Sequence, residues 1–472
     1  MKKLELLPND TNLLETYKND TLGRNYIIHY FFDLLNSTEE FCSIAVDGNW
    51  GTGKTFFVKQ TKMIFDAWNE SSYHHNEEAA KIVRETYLKA QSTTSEKNIR
   101  SFVSVYYDAW KHDNDGDPLL SIIYEILQDV HSDYSFKENG GVDCVKLFTG
   151  ISDIITQLKL GNIVESLKNS SDPLAELKSN RVLREKINEF LTSILSEHGD
   201  RLIVFVDELD RCKQNFAIKL LEQIKHYFDN ENITFVFSVN TSELSKTIRC
   251  FYGPDFDANR YLDRFFDFRI ALPKPNMDKF YDSLRLYGRH NSWYYTVAMY
   301  VIQEYNFELR EITKYIHAIR IASKKYLDNQ ISFDTHFDSE ARLFCINIIV
   351  PILIGLKMYD SDLYRDFVQG NNHMPLIDII ADKEDLKSFC GLMLSRNERF
   401  ESDEMYNYST DVIEVSLEQK LEDLYNAIFR KSQDSLENKS VGKMYITPSL
   451  RRFVEEVSNM MSGLTDFLSS GE

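Results

Sequence analysis

Asp47-Gly48-Asn-Trp-Gly-Thr-Gly53-Lys54-Thr55 decides the fold. From Gly48 to Thr55 it satisfies GxxxxGK[ST] in full, and its surroundings are those the pattern requires. Ahead of it Cys42-Ser-Ile-Ala-Val46 is a short apolar run that predicts a strand, and behind it Phe56, Phe57, Val58 and Ile64 predict a helix. Glycines let the backbone curl until its N–H groups point inward, and a helix N-terminus adds positive potential, so the stretch is built to hold phosphate. Gly48, Asn49, Trp50, Gly51, Thr52, Gly53, Lys54 and Thr55 are the expected binding residues. Lys54 reaches the β- and γ-phosphates, and the Thr55 hydroxyl is a ligand for Mg²⁺.

Four more strand signals follow: Ser101–Tyr107, Arg201–Asp207, Ile233–Val239 and Phe266–Leu272, the last stopping at Pro273. Continuous apolar runs separated by helical stretches are what parallel strands covered on both faces require. Residues 1–275 therefore read as an α/β domain. Within it, roughly 111–199 is irregular and carries apolar residues at helical spacing, such as Ile151, Ile154, Ile155 and Leu158, which predicts a helical insertion. From 276 to 472 strand signals fade and helical periodicity takes over. The clearest case begins at Thr447-Pro448 and places Leu450, Phe453, Val454, Val457, Met460, Met461, Leu464, Phe467 and Leu468 on one face.

The strand Arg201–Asp207 ends in Asp207-Glu208. Leu202 to Val206 would hold the two carboxylates at the carboxyl end of a buried strand beside the phosphate loop. Asp207 is placed as a metal ligand and Glu208 as the general base that polarises the attacking water. Asn240 ends the next strand and either orients water or contacts the γ-phosphate, or simply terminates the strand in a turn. Arg260 and Arg264, just before the last strand, either reach a neighbouring subunit's nucleotide or pair on the surface with Asp257 or Asp263.

Composition sets the outer bounds. With 54 Lys+Arg against 73 Asp+Glu the net charge is −19, which disfavours a surface that gathers nucleic acid or anionic lipid. Residues 331–472 hold 14 basic and 25 acidic side chains and offer no basic path. The six cysteines form no CxxC pair, as expected of free thiols in a reducing compartment. No apolar leader follows Met1, and the most apolar run, Leu343–Leu356, is too short to span a bilayer comfortably, so a buried helix and a cytoplasmic protein are expected. HExxH and GxSxG are absent, and no [NT]KxD motif follows the fourth strand, which favours ATP over GTP.

The residues resemble the KAP family of P-loop NTPases. Gly48-Asn-Trp-Gly-Thr-Gly-Lys-Thr55 is similar to that family's G-x-W-G-x-G-K-[ST], and Tyr107-Asp-Ala-Trp110 to its F-N-A-W. Asp207-Glu-Leu-Asp-Arg-Cys212 carries its acidic hallmark, with Asp20-Thr-Leu-Gly-Arg24, Tyr261-Leu-Asp-Arg264 and Asn306-Phe-Glu-Leu-Arg310-Glu-Ile312 completing the series. The resemblance implies an additional-strand P-loop domain of strand order 5-1-4-3-2, with ATP and Mg²⁺ as ligands. It also implies Arg310 as a nucleotide sensor from a following helical subdomain, and a link to bacterial anti-phage defence. Many members carry transmembrane helices between the two acidic and phosphate-binding motifs, whereas the insertion here is polar.

The expected function is thus a Mg²⁺-dependent ATPase serving as a nucleotide-driven conformational or assembly switch. It would self-associate through the NTPase domain and act on a protein effector. A non-hydrolysing ATP-dependent scaffold and a nucleic-acid-stimulated motor are the alternatives, the second unsupported by charge.

Overall fold

The computed structural model describes residues 7–72, 76–91, 99–130, 144–164, 175–228, 230–284, 293–323, 339–395, 416–430 and 439–457. The chain divides into two compact units, Leu7–Leu284 and Arg285–Glu472.

The first unit opens with α1 (Asp10–Lys18) and α2 (Asn25–Ser37), then β1 (Cys42–Asp47), α3 (Lys54–Trp68), α4 (Glu77–Ala90) and β2 (Phe102–Asp108). The insertion is helical: α5 (Pro118–Val130), α6 (Cys144–Val164) and α7 (Ala175–His198). Next come β3 (Arg201–Asp207), a 3₁₀ turn (Leu209–Arg211), α8 (Gln214–Tyr227), β4 (Ile233–Val239) and α9 (Thr241–Tyr252). The unit closes with α10 (Ala258–Leu262), β5 (Phe268–Ala271) and α11 (Met277–Ser283).

The five strands form one parallel sheet in the order β2-β3-β4-β1-β5, which read from the other edge is the expected 5-1-4-3-2. β4 lies between β1 and β3, so an extra strand separates the phosphate-loop strand from the acidic one. Both faces are covered, and alternation along β3 shows how. Leu202, Val204 and Val206 enter the core formed with α5, α7 and α8, while Ile203 and Phe205 enter the core formed with α2, α3 and α4. A strand buried on both sides has no polar face to spare, hence its unbroken apolar sequence. In register, Asp47 pairs with Val239, Asp207 with Ser238, and Asp108 with Asp207. Three carboxylates therefore end neighbouring or near-neighbouring strands at one rim.

α2 brings His29 into this second core, 5% exposed, with its Nε2 2.6 Å from the Tyr17 hydroxyl and its ring edge-on to Tyr87. Burial lowers its pKa to about 4, against the opposing pull of Asp33 and Asp20. A histidine folded neutral and titrating near 6.5 when unfolded leaves stability intact above that value and removes it as pH falls through the folded pKa. Between pH 7 and pH 5 this one group should cost about 2 kcal/mol of stability. Denaturant unfolding at both values checks it: His29→Gln should flatten the wild-type slope by that amount, and parallel slopes would count against it.

The second unit comprises α12 (Trp293–Glu304), α13 (Leu309–Ser323), α14 (Ser339–Phe344), a π-helical turn (Cys345–Ile349) and α15 (Val350–Tyr359). After these come α16 (Ser361–Val368), α17 (Met374–Ala381), α18 (Glu384–Met393), α19 (Leu417–Phe429), β6 (Lys439–Val441) and β7 (Met444–Ile446). The antiparallel β6–β7 hairpin is absent from the sequence reading, although Val441, Met444 and Ile446 around Gly442 (φ 58°) carry its signal. The apolar run also proves longer than expected. Ser339–Tyr359 is one continuous 21-residue helical run, long and apolar enough to cross a membrane, yet 72% of its most apolar window is buried inside the protein. It packs on α12 closely enough that a Cβ on Gly355 would fall 2.2 Å from Val301 Cγ1. Residues 448–457 are helical and bury Leu450, Val454 and Val457, while the further positions to Leu468 lie outside the described residues.

Candidate nucleotide-binding site

The phosphate loop leaves β1 at the sheet's carboxyl rim and turns into α3. Gly51 (φ 84°) and Gly53 (φ 90°) adopt left-handed backbone conformations that other residues take only under strain, so the loop's curl depends on them. Gly53 is also the N-cap of α3 and offers no side-chain acceptor, so the first-turn amides have no side-chain cap. Lys54 is 8% exposed, and its ammonium donates to the carbonyl oxygens of Gly48 (2.6 Å) and Asn49 (3.1 Å). Burial lowers its pKa, while Asp210, Asp207, Glu208 and Asp47 pull the other way. Arg24, buried at the start of α2, fixes the loop from outside. Its Nη1 donates to Thr52 O at 2.6 Å and its Nη2 to Pro273 O just after β5. The sequence singled out Arg24 as part of a family motif but gave it no role, since both partners are remote along the chain.

Asp207 is 1% exposed at the end of β3. The Tyr106 hydroxyl donates to one carboxylate oxygen at 2.8 Å and the Glu208 amide to the other at 3.0 Å. Lys59 lies over the Tyr106 ring, 4.1 Å from its centroid, adding positive charge near Asp207. The Thr55 hydroxyl makes no hydrogen bond among the described residues, whereas that of Thr61 on the same helix donates to Phe57 O. A free hydroxyl and a fixed carboxylate are hard oxygen donors of the kind Mg²⁺ takes, so Thr55 and Asp207 fit the ion.

Glu208 adopts φ 59°, ψ 22°, a left-handed conformation rare for a residue with a Cβ. Its Oε2 accepts from Arg211 Nε at 2.6 Å, and Oε1 has no partner among the described residues. Burial first, and the charge of Asp207 second, raise its pKa to about 7, while Arg211 works in the opposite direction. A base of that strength is well matched to neutral solution.

Trp50, inside the phosphate loop, donates its Nε1–H to Asp210 Oδ2 at 2.6 Å. The guanidinium of Arg211 lies 5.9 Å from the Trp50 ring centroid and 5.8 Å from that of Trp110, within cation–π range of both. Beside this cluster a cavity of about 910 Å³ is lined by Trp50, Asp210, Arg211 and Lys213 and, from other segments, by Asp113 and Lys219. Lys54, Thr55 and Glu208 do not line it, so the phosphate site is its neighbour.

The remaining expected residues lie as follows. Asn240 is buried at the end of β4, where its Oδ1 caps α9 by accepting from the Glu243 amide at 3.3 Å. Its backbone amide faces Asp210. Arg260 and Arg264 are exposed on α10 and just after it, with no ion pair among the described residues. Asp257 instead caps α10 through the Arg260 amide, and Asp263 pairs with Arg269 at 2.7 Å. Both arginines precede β5, whose entry is tied to the start of β1 by Asp267 N–H to Ser43 O at 2.8 Å. The phosphate loop is at the other end of β1, about 20 Å from that entry at roughly 3.3 Å per residue, while Asn259, beside Arg260, accepts from Ser245 in the second turn of α9 at 2.8 Å. Arg310 is exposed near the start of α13 in the second unit.

Residues 24–326 match the sequence profile of the KAP family P-loop domain. No curated protein matches the chain. A solved structure of the Aeropyrum pernix ORC2 protein, in ADPNP–ADP complexes, is similar at 11% identity over 94% of this chain and 93% of that one, with a TM-score of 0.31.

Proposed function

This chain belongs to the KAP family of P-loop domains, and from that premise we propose that it is a Mg²⁺-dependent ATPase whose nucleotide cycle switches conformation or assembly. One observation carries the proposal: Lys54, Thr55, Asp207 and Glu208 meet at a single rim of the sheet, with one oxygen of Glu208 anchored and the other open. Loop amides and Lys54 would hold the phosphates. Mg²⁺, when bound by Thr55 and Asp207, supplies charge neutralisation on the transferring group. Glu208 would orient water through its open oxygen and take its proton, a role requiring hydrogen-bond reach and a pKa near the working pH.

Arg264 or Arg260, exposed and without an ion pair among the described residues, would complete the site of a second copy. Specific ATP turnover is then expected to climb with protein concentration, and Arg264→Ala to flatten that climb and lower the plateau about a hundredfold or more. Turnover per chain independent of concentration would instead make the site complete in one copy. In the same reading the second unit passes the nucleotide state to a protein effector in the cytoplasm. A role in anti-phage defence rests on the family alone; comparing infection of cells carrying the wild-type and Lys54→Ala proteins tests it.

A further inference from the structure

Four residues, one of them in the phosphate loop, form one connected group around the base. Trp50 belongs to the phosphate loop, Trp110 follows β2, and Asp210 and Arg211 follow β3. The Trp50 indole N–H is fixed on Asp210, its ring faces the Arg211 guanidinium, and Trp110 supports the same guanidinium. Arg211 in turn grips Oε2 of Glu208. Two indoles at 45% and 55% exposure are costly to leave on a surface unless their faces are used. Glu208 itself sits in a strained left-handed conformation, which persists only where surrounding contacts over-determine it.

We propose that Arg211 is the positioning residue of Glu208, and that Trp50 and Trp110 hold Arg211 so that the shape of the phosphate loop is relayed to the base. The inference rests on the ATPase reading of the site and adds to it the part that couples loop to base. The geometry separates holding from blocking. A carboxylate gripped by both oxygens would keep fewer open lone pairs and less freedom to turn toward water, whereas here only Oε2 is engaged. Lys54 donates to loop carbonyls on the two residues just before Trp50, so phosphate that draws Lys54 away would also shift the indole that faces Arg211.

The test measures kcat for ATP and the Kd of a fluorescent ATP analogue in Arg211→Met, Arg211→Lys, Trp110→Leu and Trp110→Phe. Arg211→Met should lower kcat about thirty- to hundredfold while Kd stays within about twofold, because misplacing a catalytic group by an ångström costs that much. Arg211→Lys, which keeps the charge but loses the planar stack, should recover only part of the loss. Trp110→Leu should lower kcat several-fold and Trp110→Phe should restore it, a pair that carries the test if Arg211→Met fails to fold. Added to Glu208→Gln, Arg211→Met should cause no further loss, as expected of two residues acting as one unit. Turnover at or above wild type in Arg211→Met would overturn the inference, as would a fully additive loss with Glu208→Gln. A wild-type chain that hydrolyses ATP while Arg211→Met equals it removes this inference alone; a wild-type chain that binds ATP without hydrolysing it removes the ATPase reading and this inference together.

Discussion

Glu208→Gln is expected to bind ATP as tightly as the wild-type chain and to turn it over about 10²–10⁴-fold more slowly. Glutamine keeps the length and shape of the side chain, and its carbonyl oxygen can still accept from Arg211 Nε, so the backbone turn at residue 208 keeps its anchor. What it loses is the ability to take a proton. Burial and the neighbouring Asp207 charge raise Glu208 to about 7, which makes the native side chain a competent base in neutral solution. Phosphate release and analogue binding, measured on the same preparation, separate the two effects. Turnover within about threefold of wild type would remove Glu208 from the chemistry.

Lys54→Ala acts one step earlier. The lysine is 8% exposed and lies among Asp210, Asp207, Glu208 and Asp47. Its ammonium is the one positive side-chain charge of the loop itself, and phosphate oxygens would compete for it with the Gly48 and Asn49 carbonyls. Truncating one partner of a buried, hydrogen-bonded charge pair costs about 2–5 kcal/mol, so ATP affinity should fall at least about thirtyfold. Titration of the fluorescent analogue reads it directly. An unchanged Kd would mean that nucleotide is held elsewhere, with the 910 Å³ cavity beside Trp50 the next place to look.

How much of this was legible in the sequence follows from how local each feature is. The phosphate loop and the Asp207-Glu208 strand end are contiguous, and their chemistry can be read from residue types alone. The five strands were readable as well, because burial on both faces writes itself as unbroken apolar runs. Their order was not, and came only through the family resemblance, since register depends on contacts between distant segments. Trp50, Trp110 and Arg211 stood out as family motifs, but nothing in their spacing says that both indoles come within cation–π range of the arginine. Arg24 is the extreme case: it joins loop residue Thr52 to Pro273, 249 positions downstream. The arginines before β5 stood out in the sequence, yet only the strand register shows that the β5 entry they precede lies at the opposite end of β1 from the loop. The β6–β7 hairpin escaped because its strands are three residues each, too short for alternation to stand out from helical surroundings.

The most direct test of the central claim is steady-state phosphate release from ATP by the wild-type chain, with Mg²⁺ and with EDTA, using Glu208→Gln as the blank. Mg²⁺-dependent release at least about a hundredfold above the blank, abolished by EDTA, is the predicted result. Release no higher than the blank, in a chain that binds the fluorescent ATP analogue, would contradict hydrolysis at this site and leave a nucleotide-binding scaffold in its place.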